Sequence, residues 1–167
     1  MLQLDIPTHF IHGNGDREVL AQMAGIESEW YRAALDLWRE PVRWTAEQLS
    51  FEHRQLLASW PLTYRMKLDG LGDVLFCHAT PRNDTDVFTQ LTPEHRLLPI
   101  FEFPCLDVVV CGHTHMQFDR LVGKTRVVYA GSVGMPFGTP GANWLLLGSD
   151  ASFVTQLTTW HKPQNAF

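Results

Sequence analysis

The chain has 167 residues, 45% of them hydrophobic, which is enough for one compact globular domain and too apolar for a disordered one. Thirteen basic against eighteen acidic residues give a net charge of −5, and no Lys/Arg cluster tracks a phosphate backbone, so electrostatic binding of nucleic acid is excluded. No apolar run approaches the ~20 residues that cross a bilayer, no signal-peptide pattern opens the chain, and three cysteines lack a pairing pattern; a cytoplasmic protein without membrane contact is expected.

Thr8 to His12 reads as a short buried strand, entered from Asp5-Ile6-Pro7. After Asn14-Gly15-Asp16 the spacing predicts a helix from Arg17 to Ala24 with Asp16 as its N-cap and Gly25 as its stop. A second helix runs from Glu27 to Trp38 and ends before Pro41. Thr45 with Gln48 resembles a capping box, and Ser50 starts a further helix whose face carries Leu56, Leu57 and Trp60, until Pro61. The result is a helical subregion over 17–60. Four of the six tryptophans fall between Trp30 and Trp60 and are expected to form an apolar layer beneath it, with an exposed apolar interface as the rival reading.

From Tyr64 the period shortens to that of strands. Tyr64 to Leu68 and Asp73 to Phe76 predict a hairpin around Asp69-Gly70-Leu71-Gly72, and its second strand delivers Cys77-His78. Ala79 to Asp86 reads as an exposed functional loop, in which the Arg82 guanidinium is suited to phosphate oxygens; Thr92-Pro93-Glu94 then starts a short helix. Asp107 to Val110 predicts a buried strand that leads into Cys111-Gly112-His113-Thr114-His115. Met116 to Leu121 and Thr125 to Tyr129 predict a hairpin, Gly131-Ser132-Val133-Gly134 a tight turn, and Asn143 to Leu147 with Ser152 to Thr159 the last two strands.

Three strand ends thus offer Asn14, His78, His113 and His115. Mixed amide oxygen and imidazole ligands suit Mn²⁺, Fe, Zn²⁺ or Ni²⁺, and neutral imidazoles leave an ion more Lewis acidity than carboxylates do. As isolated residues, Asn14 is equally a turn asparagine and His78 a core histidine bonded to a carbonyl. Cys77 and Cys111 read as small buried residues at strand ends, next to any metal.

Gly13-Asn14-Gly15-Asp16, Cys77-His78, Gly112-His113-Thr114-His115 and Gly131-Ser132-Val133-Gly134, in this order, resemble the blocks of the calcineurin-like metallophosphoesterase superfamily, small prokaryotic phosphodiesterase type. The resemblance implies an α/β fold, a two-sheet sandwich flanked by helices, with a dinuclear centre at the C-terminal strand ends. It implies hydrolysis of phosphodiesters or phosphomonoesters by a metal-bound hydroxide, Mn²⁺ being the first choice. It also implies that Asn14, His78 and His113 ligate the second metal and His115 the first. His113 and His115 are then the catalytic imidazoles, Asn14 a substrate-binding residue, and a small phosphoester or nucleotide the substrate; Arg82 joins as a substrate-binding residue on its guanidinium chemistry alone, a solvated loop being the equal alternative.

The departures are equally specific. The family's first two blocks, Asp-x-His and Gly-Asp, do not precede Asn14, and no Asp-x-His occurs in the chain. Gly15 stands where many members have a histidine thought to protonate the leaving group, and a lost general acid costs ~10²–10⁴-fold. The expectation is therefore a single domain over 1–167 that lacks its first βαβ unit, with a reading frame that starts upstream of Met1. Such a chain holds one metal or none and turns over weakly or not at all; its rival is a non-catalytic binding or scaffold module. Loss of central strands would expose Ile11 and Val108 to Val110 and favour homo-oligomers through an open sheet edge.

Overall fold

The structure, a computed structural model, describes residues 5–102, 106–138, 140–148 and 153–158, the last by backbone alone. Two compact units divide at Leu62 and Thr63. Among the described residues, every element of the N-terminal unit is a helix. Helix α1 spans Asn14–Met23, α2 Glu29–Ala33, α3 Asp36–Gln48 and α4 Phe51–Ser59.

Helix α1 begins three residues earlier than predicted. Gly13, extended at φ −113°, is the N-cap, and the Asp16 carboxylate reaches back to accept the Gly13 N–H at 2.8 Å. Asp16 therefore serves from the third helical position, not from the cap itself. At the other end Gly25, at φ +69°, donates to the Gln22 carbonyl while Ile26 donates to Ala21, the paired bonds that close a helix through a left-handed glycine.

The predicted second helix is broken at Ala34 and Leu35, both extended, and Pro41 lies inside α3. Arg39 explains the position of the break. Its Nε donates to the Ala34 carbonyl at 2.7 Å and Nη2 to Arg32 at 3.4 Å, satisfying acceptors that the end of α2 leaves open. Thr45 is no cap either; its hydroxyl donates back to the Pro41 carbonyl within α3. Ser50 caps α4 as expected, its hydroxyl accepting from the His53 N–H while His53 Nδ1 accepts from Ser50 N–H.

Thr8 to His12 forms no strand. A strand persists only when its backbone is paired, and here His12 N–H instead donates to the Pro61 carbonyl at 2.8 Å, next to Phe10 stacked on Trp60 at 4.8 Å. Nor do the tryptophans form a covered layer: Trp30, Trp38 and Trp44 are all exposed, Trp44 by 61%.

The C-terminal unit is a mixed sheet. Strands β1 (Thr63–Leu68), β2 (Gly72–Cys77), β3 (Val108–Cys111), β4 (Gln117–Val122) and β5 (Thr125–Ala130) lie in the order β1-β2-β3-β5-β4. The hairpin pairs are antiparallel, whereas β2, β3 and β5 run parallel to one another. Their C-terminal ends consequently share one edge of the sheet. A second sheet pairs β6 (Ala142–Leu147) with β7 (Phe153–Thr158).

Side-chain alternation explains why β3 is apolar at every position. Val109 and Cys111 face a cluster with Leu97, Ile100 and Phe101 of helix α5 (Glu94–Phe101) and with Phe88; Val108 and Val110 face Leu145 and Leu147 of β6. A strand covered on both faces has no polar side. The expected exposure of Val108 to Val110 is thereby corrected, because β2 and β5 flank β3 and all three valines are buried.

Candidate metal centre

Parallel pairing of β2 with β3 places His78 and the 112–115 segment side by side. Gly112 N–H donates to the His78 carbonyl at 2.8 Å, and a Cβ at Gly112 would meet that oxygen at 3.5 Å. The two following histidines break the ordinary backbone rule, His113 at φ +65° and His115 at φ +60°. A left-handed non-glycine residue costs ~1–2 kcal/mol, and two within three residues mark a segment whose shape serves something other than stability.

The strained turn aims one imidazole at another. His113 Nδ1 stands 3.3 Å from His78 Nε2, with ring centroids 5.2 Å apart and the planes at 64°. Two imidazole nitrogens ~2.1 Å from a shared ion stand ~3.0 Å apart at a right angle and ~3.4 Å apart at the tetrahedral angle, so the observed spacing suits a chelating pair. Burial holds the His113 ring below the ordinary histidine range, against a hydrogen bond to the Thr85 backbone that works the other way. A neutral ring is the ligating form.

Thr114, between the two histidines, adds a second sign: its hydroxyl is buried with no hydrogen-bond partner among the described residues. A buried orphan polar atom calls for a bound group. His115 joins the turn through its carbonyl, which accepts from Phe137 N–H at 3.0 Å. That bond brings the Gly131 to Gly138 loop against the histidine segment. Gly131, at φ +83°, has no room for a side chain, since a Cβ would lie 2.6 Å from Gln117 Cγ and 2.7 Å from Asn143 Cβ.

Two thiols lie directly beneath this edge. Cys77 Sγ and Cys111 Sγ are 3.7 Å apart and buried, and burial pushes the Cys111 thiol well up. A thiol raised in this way is protonated and inert as a nucleophile.

The loop after His78 is more ordered than its composition suggests. Ala79 and Thr80 are buried, which corrects the expectation of a loop exposed from its start. Asn83 Oδ1 accepts the N–H of Thr85 at 3.0 Å and of Asp86 at 2.7 Å, and Asp86 accepts from Thr80 Oγ1 at 3.0 Å and Arg82 Nε at 2.5 Å. Arg82 is thus ion-paired within the loop. Arg82 and, to a lesser degree, Asn83 and Thr80 hold the Asp86 carboxyl below the usual carboxylate range.

A folded value below the unfolded ~3.9 means that Asp86 stabilises the fold above that pH and ceases to do so as pH falls through the depressed value. Asp86→Asn should accordingly lower the urea midpoint at pH 7 and show a smaller deficit at pH 3. Equal deficits at both pH values would show that the charge is irrelevant.

Of the residues expected to carry the chemistry, His78 and His113 are brought together. His115 shares the segment of His113, and Arg82 lies in the loop after His78. Asn14 is the first residue of α1 in the N-terminal unit, half-buried. Among the described residues no group of three or more His, Cys, Asp or Glu side chains is placed to hold an ion. The left-handed backbone of the two histidines, the orphan Thr114 hydroxyl and the Asn83 turn escaped the sequence reading. Only Asn83, a turn-forming residue between charged neighbours, left a trace in the sequence.

Residues 1–151 match the family described as the calcineurin-like phosphoesterase superfamily domain. Among solved structures, the fold is similar to that of a hypothetical protein from Pyrococcus horikoshii OT3, with TM-score 0.74, 18% identity, and coverage of 92% of this chain and 64% of that one. It is also similar to a metallophosphoesterase from Sphaerobacter thermophilus, with TM-score 0.59, 23% identity, and coverage of 90% and 65%. The chain thus spans a little under two thirds of either relative, and at such identities the likeness is one of fold. A comparison with curated proteins finds no match.

Proposed function

The chain belongs to the calcineurin-like phosphoesterase superfamily, and from that premise we propose that it hydrolyses small phosphoesters, phosphodiesters first, with Mn²⁺ held at the edge shared by β2, β3 and β5. The observation that carries this reading is the His78–His113 pair at 3.3 Å, presented by a backbone strained at both His113 and His115. A divalent ion in such a site lowers the pKa of water and neutralises phosphate oxygens.

The chain's own residues then have distinct tasks. His78 and His113 hold the ion. His115, fixed by its carbonyl bond to Phe137 N–H, presents a second imidazole from the same turn. Asn14 enters on its sequence block alone, as a ligand and substrate contact. Arg82 would orient a phosphate only by exchanging its Asp86 partner, so its share in binding is small.

The sequence holds no Asp-x-His, and Gly15 brings no acid to the leaving group. Turnover by residues 1–167 should be slow and confined to esters with good leaving groups. Three cysteines without a pairing pattern suit a reducing cytoplasm as its setting. A second reading, a binding module that holds one ion without turnover, is favoured by the single imidazole pair brought together among the described residues.

Hydrolysis of bis-p-nitrophenyl phosphate with Mn²⁺, then with chelator, then with Mn²⁺ restored, tests the enzyme reading. Turnover that disappears and returns is the expected result. Stoichiometric Mn²⁺ binding without turnover selects the binding module, and neither binding nor turnover removes both readings.

A further inference from the structure

The loop from Gly131 to Gly138 is held at two points and otherwise open. At its start the Ser132 carbonyl accepts from Asn143 N–H of β6 at 3.0 Å, and the Ser132 hydroxyl accepts from Met135 N–H at 3.0 Å. Further on, Phe137 N–H donates to the His115 carbonyl at 3.0 Å. Pro136 fixes φ between Met135 and Phe137. The backbone is therefore pinned beside the turn that carries His113 and His115.

What this pinned backbone displays is apolar. Val133 is 65% exposed, Met135 57% and Phe137 68%, and a Cβ at Gly134 or Gly138 would meet nothing within 4 Å among the described residues. Apolar side chains scattered singly over a surface are ordinary, but these three stand within one short loop that is hydrogen-bonded to the candidate metal centre. Charge is missing as well: between Arg126 and Asp150 the sequence has no Asp, Glu, Lys or Arg. Such a surface offers nothing to a second phosphate or a polar alcohol, whereas methionine and phenylalanine side chains suit the face and edge of an aromatic ring.

We propose that Val133, Met135 and Phe137 form an apolar subsite for an aromatic ester group, so that the preferred substrates are phosphodiesters with an aromatic ring next to the phosphate. The inference rests on the reading of the site as a phosphodiesterase and adds its substrate class. Because the loop backbone is already ordered, docking a ring costs little chain entropy. Covering one face of the ring is worth about 10-fold in affinity. Esters of small polar alcohols gain nothing from it.

Metal-free protein with ¹³C-labelled methionine methyl groups, titrated with diphenyl phosphate and with dimethyl phosphate, reads the subsite without turnover. The Met135 signal, assigned by Met135→Leu, should move with diphenyl phosphate and stay with dimethyl phosphate, while Met23 and Met66 move with neither. Phe137→Ser, a change at an exposed position that keeps the N–H, should weaken diphenyl phosphate binding about 10-fold. With Mn²⁺, and after division by the uncatalysed rates, kcat/KM for phenyl p-nitrophenyl phosphate should exceed that for methyl p-nitrophenyl phosphate about 10-fold. Phe137→Ser should bring that ratio toward one through KM.

A Met135 signal that stays still, or a phenyl preference that Phe137→Ser leaves intact, overturns the proposal. A Met135 signal that moves on dilution of the protein alone shows a second copy seated on the surface and overturns it too. A Met135 shift with diphenyl phosphate that Phe137→Ser weakens, in protein without turnover, supports the subsite and removes the hydrolytic reading instead.

Discussion

His113→Gly is expected to abolish Mn²⁺ binding without a matching loss of stability. Removing the imidazole deletes one of the two nitrogens that stand 3.3 Å apart, and affinity should fall by more than the ~10–100-fold that an outer-shell partner commands. Any phosphodiester turnover should fall ~10³-fold, the equivalent of the several kcal/mol a Lewis acid supplies at 1.36 kcal/mol per decade. The backbone responds in the opposite sense. His113 occupies φ +65°, where glycine is at ease and an L-residue carries ~1–2 kcal/mol of strain, so relief of that strain offsets the lost ring contacts.

Calorimetry with Mn²⁺ and urea unfolding of the metal-free protein measure both halves. His95→Ala, at an exposed histidine of α5, serves as the control that should change neither. A variant that keeps wild-type affinity would show that the pair is an internal hydrogen bond and nothing more. A variant that loses several kcal/mol of stability would show that the turn is not under strain.

Phe101→Ala carries the largest expected cost to the fold. Phe101 is fully buried at the end of α5, where its ring meets Phe88 edge-on at 5.2 Å within the cluster that includes Leu97, Val109, Val127 and Tyr129. Phe88 in turn meets Tyr129 at 4.8 Å, which places Phe101 at one end of a chain of aromatic contacts that reaches β5. Truncating a buried phenylalanine costs ~3–5 kcal/mol, and for a unit of this size each kcal/mol lowers the melting temperature by ~4–8 °C. Thermal unfolding should shift down by ~12 °C or more. A shift under ~4 °C would mean that α5 does not hold the sheet.

Much of this fold was legible because burial leaves a periodic mark. The apolar runs at Val74 to Phe76 and at Val108 to Val110, and the two hairpins with glycine at their turns, read directly as the sheet that forms. The helical unit was read less well, for reasons local to single residues. Pro41 suggested a stop because proline lacks an N–H, but Arg39 fixed the break earlier by taking the carbonyls at the end of α2. Thr8 to His12 has the composition of a strand and lacks the paired backbone that makes one. Composition does not record pairing.

At the site, residue types were legible and geometry was not. His78 and His113 were singled out by their places after strands, and parallel pairing brings their rings together. No residue pattern announces a histidine at positive φ, since sequence preferences there point to glycine or asparagine. Asn14 illustrates the opposite case, a residue with a clear sequence block whose place in the chemistry rests on that block.

Where an ion binds decides whether the paired histidines form a metal centre. Crystals of the protein grown with Mn²⁺, with anomalous diffraction recorded at the manganese edge, locate it directly. The expected result is an anomalous peak ~2.1–2.3 Å from both His78 Nε2 and His113 Nδ1. Full occupancy by Mn²⁺ elsewhere, with the two rings still 3.3 Å apart and no peak between them, would contradict the central claim.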